Sequence, residues 1–223
     1  MSVFPAVTSC YNSGLPFQVN AMQSRTRPRL AALVLALAAP LLAPAQDLAR
    51  ARQIVGGKCF LCHGMNGESA SEAFPRLAGQ NATYLAKQLR DFQSGRRKGT
   101  AMNDMVGGLA ESDLASLGAF FAAQEAQSHP ASDAELGAVG RYLYAKGNGF
   151  SGVAACASCH GPNAAGTEQL PRLAGQQAPY LEAQLRQFTR RERNNDNAIM
   201  HTIASKLTEL EIKALAEYLA TLP

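Results

Sequence analysis

Cys59-Phe60-Leu61-Cys62-His63 recurs 97 residues later as Cys156-Ala157-Ser158-Cys159-His160. Downstream of each copy the chain repeats itself again: Pro75-Arg76-Leu77-Ala78-Gly79-Gln80 returns as Pro171-Arg172-Leu173-Ala174-Gly175-Gln176. Between Pro75–Phe92 and Pro171–Phe188, 13 of 18 positions are identical. A unit of about 85–90 residues has therefore been duplicated, which is the size of a small domain and not of a solenoid repeat.

Reading outward from these motifs, each unit is a run of helices. A first helix starts near Asp47 and runs towards Gly56-Gly57; its counterpart starts near Asp133 and ends near Lys146-Gly147. A middle helix carries Leu85, Leu89 and Phe92 behind Asn81 as cap, and Leu181, Leu185 and Phe188 repeat that stripe with Pro179 in the first turn. A last helix carries Leu114, Leu117 and Phe121, then Leu215, Tyr218 and Leu219. Thr208 and Glu211 form a capping box, whereas the matching start, Ala110, caps less well. No run alternates as a strand does, so the predicted class is all-α. Pro130 and its polar neighbours mark a linker, giving a first domain over 46–126, a linker over 127–133 and a second domain over 134–223.

The segment before residue 46 reads as a leader. Arg25, Arg27 and Arg29 precede an apolar run from Leu30 to Ala43, too short to span a bilayer, and Ala43-Pro44-Ala45 suits a signal peptidase. Residues 1–45 are expected to be an N-terminal extension and signal peptide, lost on export, with Met22 a second candidate start. Cleavage leaves 178 residues. It removes Cys10 and three of the 21 basic residues, so the net charge falls from +4 to +1. A net charge of +4 is already too mild to suggest nucleic acid as a partner, and no transmembrane segment is expected in the mature chain. Hydrophobic residues are 47% and charged residues 17%, a globular composition. With no Trp and only 7% aromatic residues, two small cores lack large side chains, which invites a non-protein group to fill them.

Cys-x-x-Cys-His is the arrangement that bonds covalently to the two vinyl groups of one haem, with the His as axial iron ligand. A redox Cys-x-x-Cys opens a helix after a strand, and no strand is visible. Zinc would need further His, and the chain has only four. Disulfides would explain the cysteines but not the adjacent His, twice. Two haem c groups are thus expected on Cys59, Cys62, Cys156 and Cys159, with His63 and His160 as axial ligands. For the sixth position, aligning Leu109 with Leu207 pairs Met102 with Met200. Met105 falls opposite Ile203 and is the weaker candidate. Both favoured methionines are placed in loops between helices. His201 competes with Met200 beside it, but Asn103 occupies the matching place in the first unit, so His201 reads as an ordinary surface histidine or one behind the ligands, and His129 as a solvated linker residue.

With two Cys-x-x-Cys-His units, each followed by Pro-Arg-Leu-Ala-Gly-Gln and a Met, residues 47–223 resemble the dihaem cytochromes c of the cytochrome c4 family. The resemblance implies two tandem class I cytochrome c domains that carry electrons in the bacterial periplasm. It implies redox protein partners, such as a membrane terminal oxidase or a quinol-oxidising complex. It also implies that the Pro75 and Pro171 carbonyls accept a hydrogen bond from the axial His Nδ1.

Other repeated residues have two readings each. Arg76 and Arg172 either pair with haem propionates or lie on the surface. Gln80, Tyr84, Gln176 and Tyr180 either bond propionates or satisfy each other between the domains. Arg96-Arg97-Lys98 and Arg190-Arg191-x-Arg193 read as solvated loops, with steering of an acidic partner as the sharper alternative. The six-residue insert Gly147–Gly152 and the longer Phe188–Met200 connection predict unequal surroundings for the two haems.

Among functions, an electron carrier leads because a haem held by both His and Met has no open site. A dihaem peroxidase needs a labile axial position and nearby acid/base groups, for which no convincing set exists. A cytochrome subunit of a dehydrogenase needs a dedicated partner. A haem gas sensor needs a vacant site and an output domain, for which 178 residues leave no room.

Overall fold

The computed structural model describes residues 47–130 and 132–223; the expected leader, with Cys10, and Ala131 of the linker lie outside the described residues. Asp47 caps the first described helix, its carboxylate accepting from Arg50 N–H at 2.8 Å. Helix α1 (Leu48–Ile54) does not stop at Gly56-Gly57 as expected. It continues through a π-helical turn (Val55–Cys59) into α2 (Phe60–His63). Val55 is fully buried there, and that packing overrides the poor helix propensity of the two glycines.

The first unit goes on with α3 (Ala82–Gln93), α4 (Met102–Met105) and α5 (Glu111–Ala122). The second contains α6 (Ala134–Lys146), α7 (Ala157–His160), α8 (Ala178–Thr189), α9 (Ile199–Ala204) and α10 (Glu209–Ala220). Asp133 caps α6 through Leu136 N–H at 2.9 Å, and Thr208 and Glu211 close the expected capping box on α10. At α5 only half a box exists: Asp113 accepts from Ala110 N–H, and Ala110 has nothing to give in return. Asn81 does not cap α3. Its side-chain amide donates instead to the Ala165 and Leu170 carbonyls of the other unit, at 3.1 and 2.8 Å. Among the described residues the only strand-like pairing is one isolated bridge, Asn148 with Val153, which closes the expected insert against the residue that follows it. The fold is all-α.

Two apolar clusters form, one per unit. Ala51, Ile54, Val55, Leu85, Leu117, Phe120 and Phe121 make the first; Leu143, Tyr144, Leu181, Leu215 and Leu219 anchor the second. In the second unit α6 crosses α10 at close range. Gly140 permits it, because a Cβ there would lie 1.8 Å from the Ala214 carbonyl oxygen. Gly118 plays the same part where α5 crosses α3: its Cβ would sit 2.5 Å from the Ala82 oxygen. Tyr144 adds a polar tie, its hydroxyl donating to the Gly161 carbonyl just past the second cysteine motif.

Candidate functional site

Each cysteine motif delivers its histidine to the start of a tight turn, at the C-terminal end of a four-residue helix. His63 and His160 are both 7% exposed. The His63 Nδ1 donates to the Pro75 carbonyl at 2.9 Å, and the His160 Nδ1 donates to the Pro171 carbonyl at 3.1 Å. That bond fixes the ring and leaves Nε2 as the ligand nitrogen. Burial lowers both imidazole pKa values, against a smaller upward pull from the proline carbonyls, so the rings are held in the neutral form that binds metal.

Among the described residues no disulfide joins the four cysteines. Burial pushes the Cys156 thiol up to about 11 and raises Cys59 as well. A redox-active pair needs a lowered thiol pKa, so this environment argues against disulfide exchange.

Both motifs open onto one continuous cavity of about 2020 Å³. Typical sites for a single drug-sized ligand are about 300–1,000 Å³, so this one has room for two large groups. Its walls include all four cysteines, both histidines, Met102 and Met200. Met105 also lines it, but its side chain is exposed. The methionines lie on short helices, α4 and α9, and not in loops as expected. The remaining wall is mostly apolar, with Ile54, Leu85, Phe92, Leu181, Leu185 and Phe188 among its residues.

Where the two units meet, the wall becomes basic. Arg97 and Arg193, expected in solvated loops, are each 8% exposed. Arg97 donates to Gln88, Tyr180 and Gln184, and Arg193 donates to Gln184, Tyr84 and Gln88, at 2.7–3.1 Å. Their guanidiniums also stack over Phe92 and Phe188, at 4.5 and 4.6 Å from the ring centres. Every one of these partners is neutral. Burial would raise the Tyr180 hydroxyl, but the two guanidiniums outweigh it and hold that group below its ordinary value. Arg172 Nε, on the same cavity, is buried with no hydrogen-bond partner. An apolar chamber with a basic, under-neutralised wall suits a flat group that is apolar in its body and carries carboxylates at one edge. Haem fits that description.

The glutamines resolve as interface residues. The Gln80 amide bonds the Arg172 backbone, and the Gln176 amide bonds the Arg76 backbone. Arg76 is committed to the protein as well, pairing with Glu68 at 3.1 Å and donating to the Gly175 carbonyl. The neighbours of the exposed basic residues are acidic: Arg96 pairs with Asp91 and Arg190 lies 3.9 Å from Glu192. Asp91, Gln88, Gln184 and Asn195 escaped the sequence reading. For Gln88 and Gln184 a signal existed, since they occupy identical positions in the two units.

The family model described as Cytochrome c matches residues 144–223. A cytochrome c4 from Pseudomonas aeruginosa is 38% identical over 85% of this chain and 96% of its own length. The chain belongs to the cytochrome c4 family. A crystal structure of reduced recombinant cytochrome c4 from Pseudomonas stutzeri superposes with a TM-score of 0.76 at 35% identity, covering 80% of this chain and all of that one. A thiosulfate dehydrogenase electron acceptor from Thiomonas intermedia is 36% identical over 74% of this chain and 78% of its own length. As in cytochrome c4, the cofactors are two haem c groups and the activity is electron transfer. Among the described residues no helix is long and apolar enough to cross a membrane.

Proposed function

We propose that the chain is an exported periplasmic electron carrier and not an enzyme. Its domains span 46–126 and 134–223, joined by residues 127–133. Cys59 and Cys62 would hold one haem and Cys156 and Cys159 the other by thioether bonds. His63 with Met102, and His160 with Met200, would be the axial pairs. Haem iron supplies reversible one-electron exchange between its ferrous and ferric states. The protein's own residues do the rest: Pro75 and Pro171 orient the imidazoles, the methionines would hold the iron opposite them, and the apolar wall would exclude water.

The observation that carries this reading is the joint placement of each proline-tethered histidine and its methionine on one apolar chamber. A ferrous protein with both sixth positions closed does not bind carbon monoxide at neutral pH. Rapid binding to one haem of undamaged protein would place this chain among the enzymes instead.

The acceptor is proposed to be a membrane terminal oxidase, and a quinol-oxidising complex fits as donor. A second reading has a specific support: the likeness to a protein named a thiosulfate dehydrogenase electron acceptor. Under it, this chain takes electrons from such an enzyme. Stopped-flow reduction of the oxidised chain by a thiosulfate dehydrogenase with thiosulfate tests that reading directly.

A further inference from the structure

The two methionine-bearing helices are too short to be stable alone: α4 has four residues and α9 has six. Something outside them must hold each in place, and the same pair of bonds does so in both units. The residue after the methionine donates to the carbonyl of the phenylalanine near the end of the middle helix. Asn103 Nδ2 reaches the Phe92 oxygen at 2.6 Å, and His201 Nδ1 reaches the Phe188 oxygen at 2.9 Å. The residue after that phenylalanine donates back, to the carbonyl four residues beyond the methionine. Gln93 Nε2 reaches the Val106 oxygen at 3.2 Å; Thr189 Oγ1 lies 3.0 Å from the Ala204 oxygen and 3.0 Å from the Leu185 oxygen of its own helix, its single proton shared between the two.

Different side chains thus make the same reciprocal staple, Asn with Gln in one unit and His with Thr in the other. They do so although the Phe-to-Met connection is 10 residues long in the first unit and 12 in the second. The Phe92 and Phe188 carbonyls, in the last turn of their helices, each accept one turn N–H, from Gly95 and Arg191 at 3.1 Å, and keep a second lone pair for the staple. Asn103 is further tied down: its Nδ2 also donates to the Arg97 carbonyl at 3.0 Å, and its Oδ1 accepts from Gly99 N–H at 2.8 Å. An unbranched thioether has three rotatable bonds and cannot position itself. The atom that can be fixed is its backbone, and the staple fixes the residue next to it.

We infer that Asn103 and His201 are the positioning residues of Met102 and Met200, keeping each thioether at its iron. This rests on the axial roles proposed above for the two methionines. A partner that hydrogen-bonds the ligand side chain itself is typically worth about 10–100-fold in metal affinity; this staple acts through the backbone one residue away, so that range is its upper bound.

The test uses the intact dihaem protein at pH 7. Asn103→Leu and His201→Leu should each diminish one of the two sulfur-to-iron absorption features. Each should also let one ferrous haem bind carbon monoxide, with haem content and helical circular dichroism unchanged. The exchanges Asn103→His and His201→Asn, which keep a donor, should retain both features and exclude carbon monoxide. Asn103→Asp is nearly isosteric but cannot donate, so it carries the test if the leucine variant does not fold. Met102→Ala and Met200→Ala run alongside. If they remove a feature while Asn103→Asp and both leucine variants leave it intact, the positioning role is overturned. Loss of ligation in the donor-preserving exchanges would overturn it too. If Met102→Ala and Met200→Ala leave both features intact, the ligand assignment itself falls and takes the inference with it.

Discussion

Gln80 and Arg172 meet across the two units through a pair of hydrogen bonds. The Gln80 Nε2 donates to the Arg172 carbonyl at 2.8 Å, and the Gln80 Oε1 accepts from the Arg172 N–H at 2.7 Å. A side-chain amide here stands in for a strand partner, satisfying both backbone groups of one residue. Gln176 does the same for Arg76, with both bonds at 2.9 Å. The duplicated hexapeptide therefore binds its own copy, the last residue of each grasping the second residue of the other.

Gln80→Leu or Gln176→Leu strips a backbone N–H and C=O of their partners at a buried seam. Each is expected to destabilise the holoprotein by about 1–3 kcal/mol. For a chain of this size that lowers the melting temperature by about 2–4 °C per kcal/mol. Thermal denaturation followed at the haem absorbance measures it. Unchanged melting in the double variant would mean that these bonds do not hold the units together.

Asp91 predicts a pH dependence. Its carboxylate side chain is 1% exposed and is held by Lys87, Arg96 and the Asn195 amide of the other unit. Burial alone would raise its pKa, but the bonds from Lys87 and Asn195 and the nearby positive charges outweigh that and hold it below the usual carboxylate value. A depressed folded-state pKa contributes stability above the unfolded value, about pH 4, that is lost as pH falls through the folded one. Because Lys87 and Arg96 are well exposed, the contribution is modest. Asp91→Asn should lower stability at pH 7 and flatten the acid limb of the stability profile. An acid limb as steep as that of the parent protein would show that other carboxylates set it.

The parts of this molecule that a sequence can reveal are those tied to local pattern. The two Cys-x-x-Cys-His motifs, the helix starts near Asp47 and Asp133, the capping box at Thr208, and the apolar stripes of α3, α5, α8 and α10 were all legible that way. Arg97 and Arg193 were not. A charge run looks solvated unless its acceptors are known, and those acceptors, Tyr84, Gln88, Tyr180 and Gln184, lie on middle helices of both units. Asn81 was misread for a related reason: its local role as a cap lost to two carbonyls more than 80 residues away. The helix through Gly56-Gly57 shows tertiary packing of Val55 prevailing over propensity.

Intact mass is expected to show two haem additions on a chain beginning near Gln46, with Cys10 absent. A mass matching two disulfides and no haem would overturn the covalent attachment at Cys59, Cys62, Cys156 and Cys159. Among the methionines, Met102→Ala should remove one of two sulfur-to-iron absorption features and lower the potential of that haem. Met105→Ala should do neither, because Met105 is exposed and has Ile203 opposite it in the second unit. Reversed effects would mean that pairing Leu109 with Leu207 misaligns the units.

Docking is the last prediction, and the burial of two arginines reshapes it. Long-range attraction to an acidic partner comes from charges that face water. Arg97 and Arg193 are buried and bonded to side chains of the seam, so steering falls to the exposed Arg96, Lys98, Arg190 and Arg191. Two of these have an acidic neighbour that offsets them, Asp91 for Arg96 and Glu192 for Arg190. Lys98 and Arg191 are then the residues whose charge reversal should matter most. Lys98→Glu and Arg191→Glu are expected to slow reduction of the proposed acceptor, a terminal oxidase, by about tenfold at low ionic strength and to flatten its salt dependence. Arg97→Gln should cost stability, by about 1–3 kcal/mol, and leave the salt dependence as it was. Stopped-flow oxidation of the reduced protein across a salt series separates the two effects. If reversing Lys98 and Arg191 leaves the salt dependence unchanged, the docking face lies elsewhere and the basic loops are solvated surface.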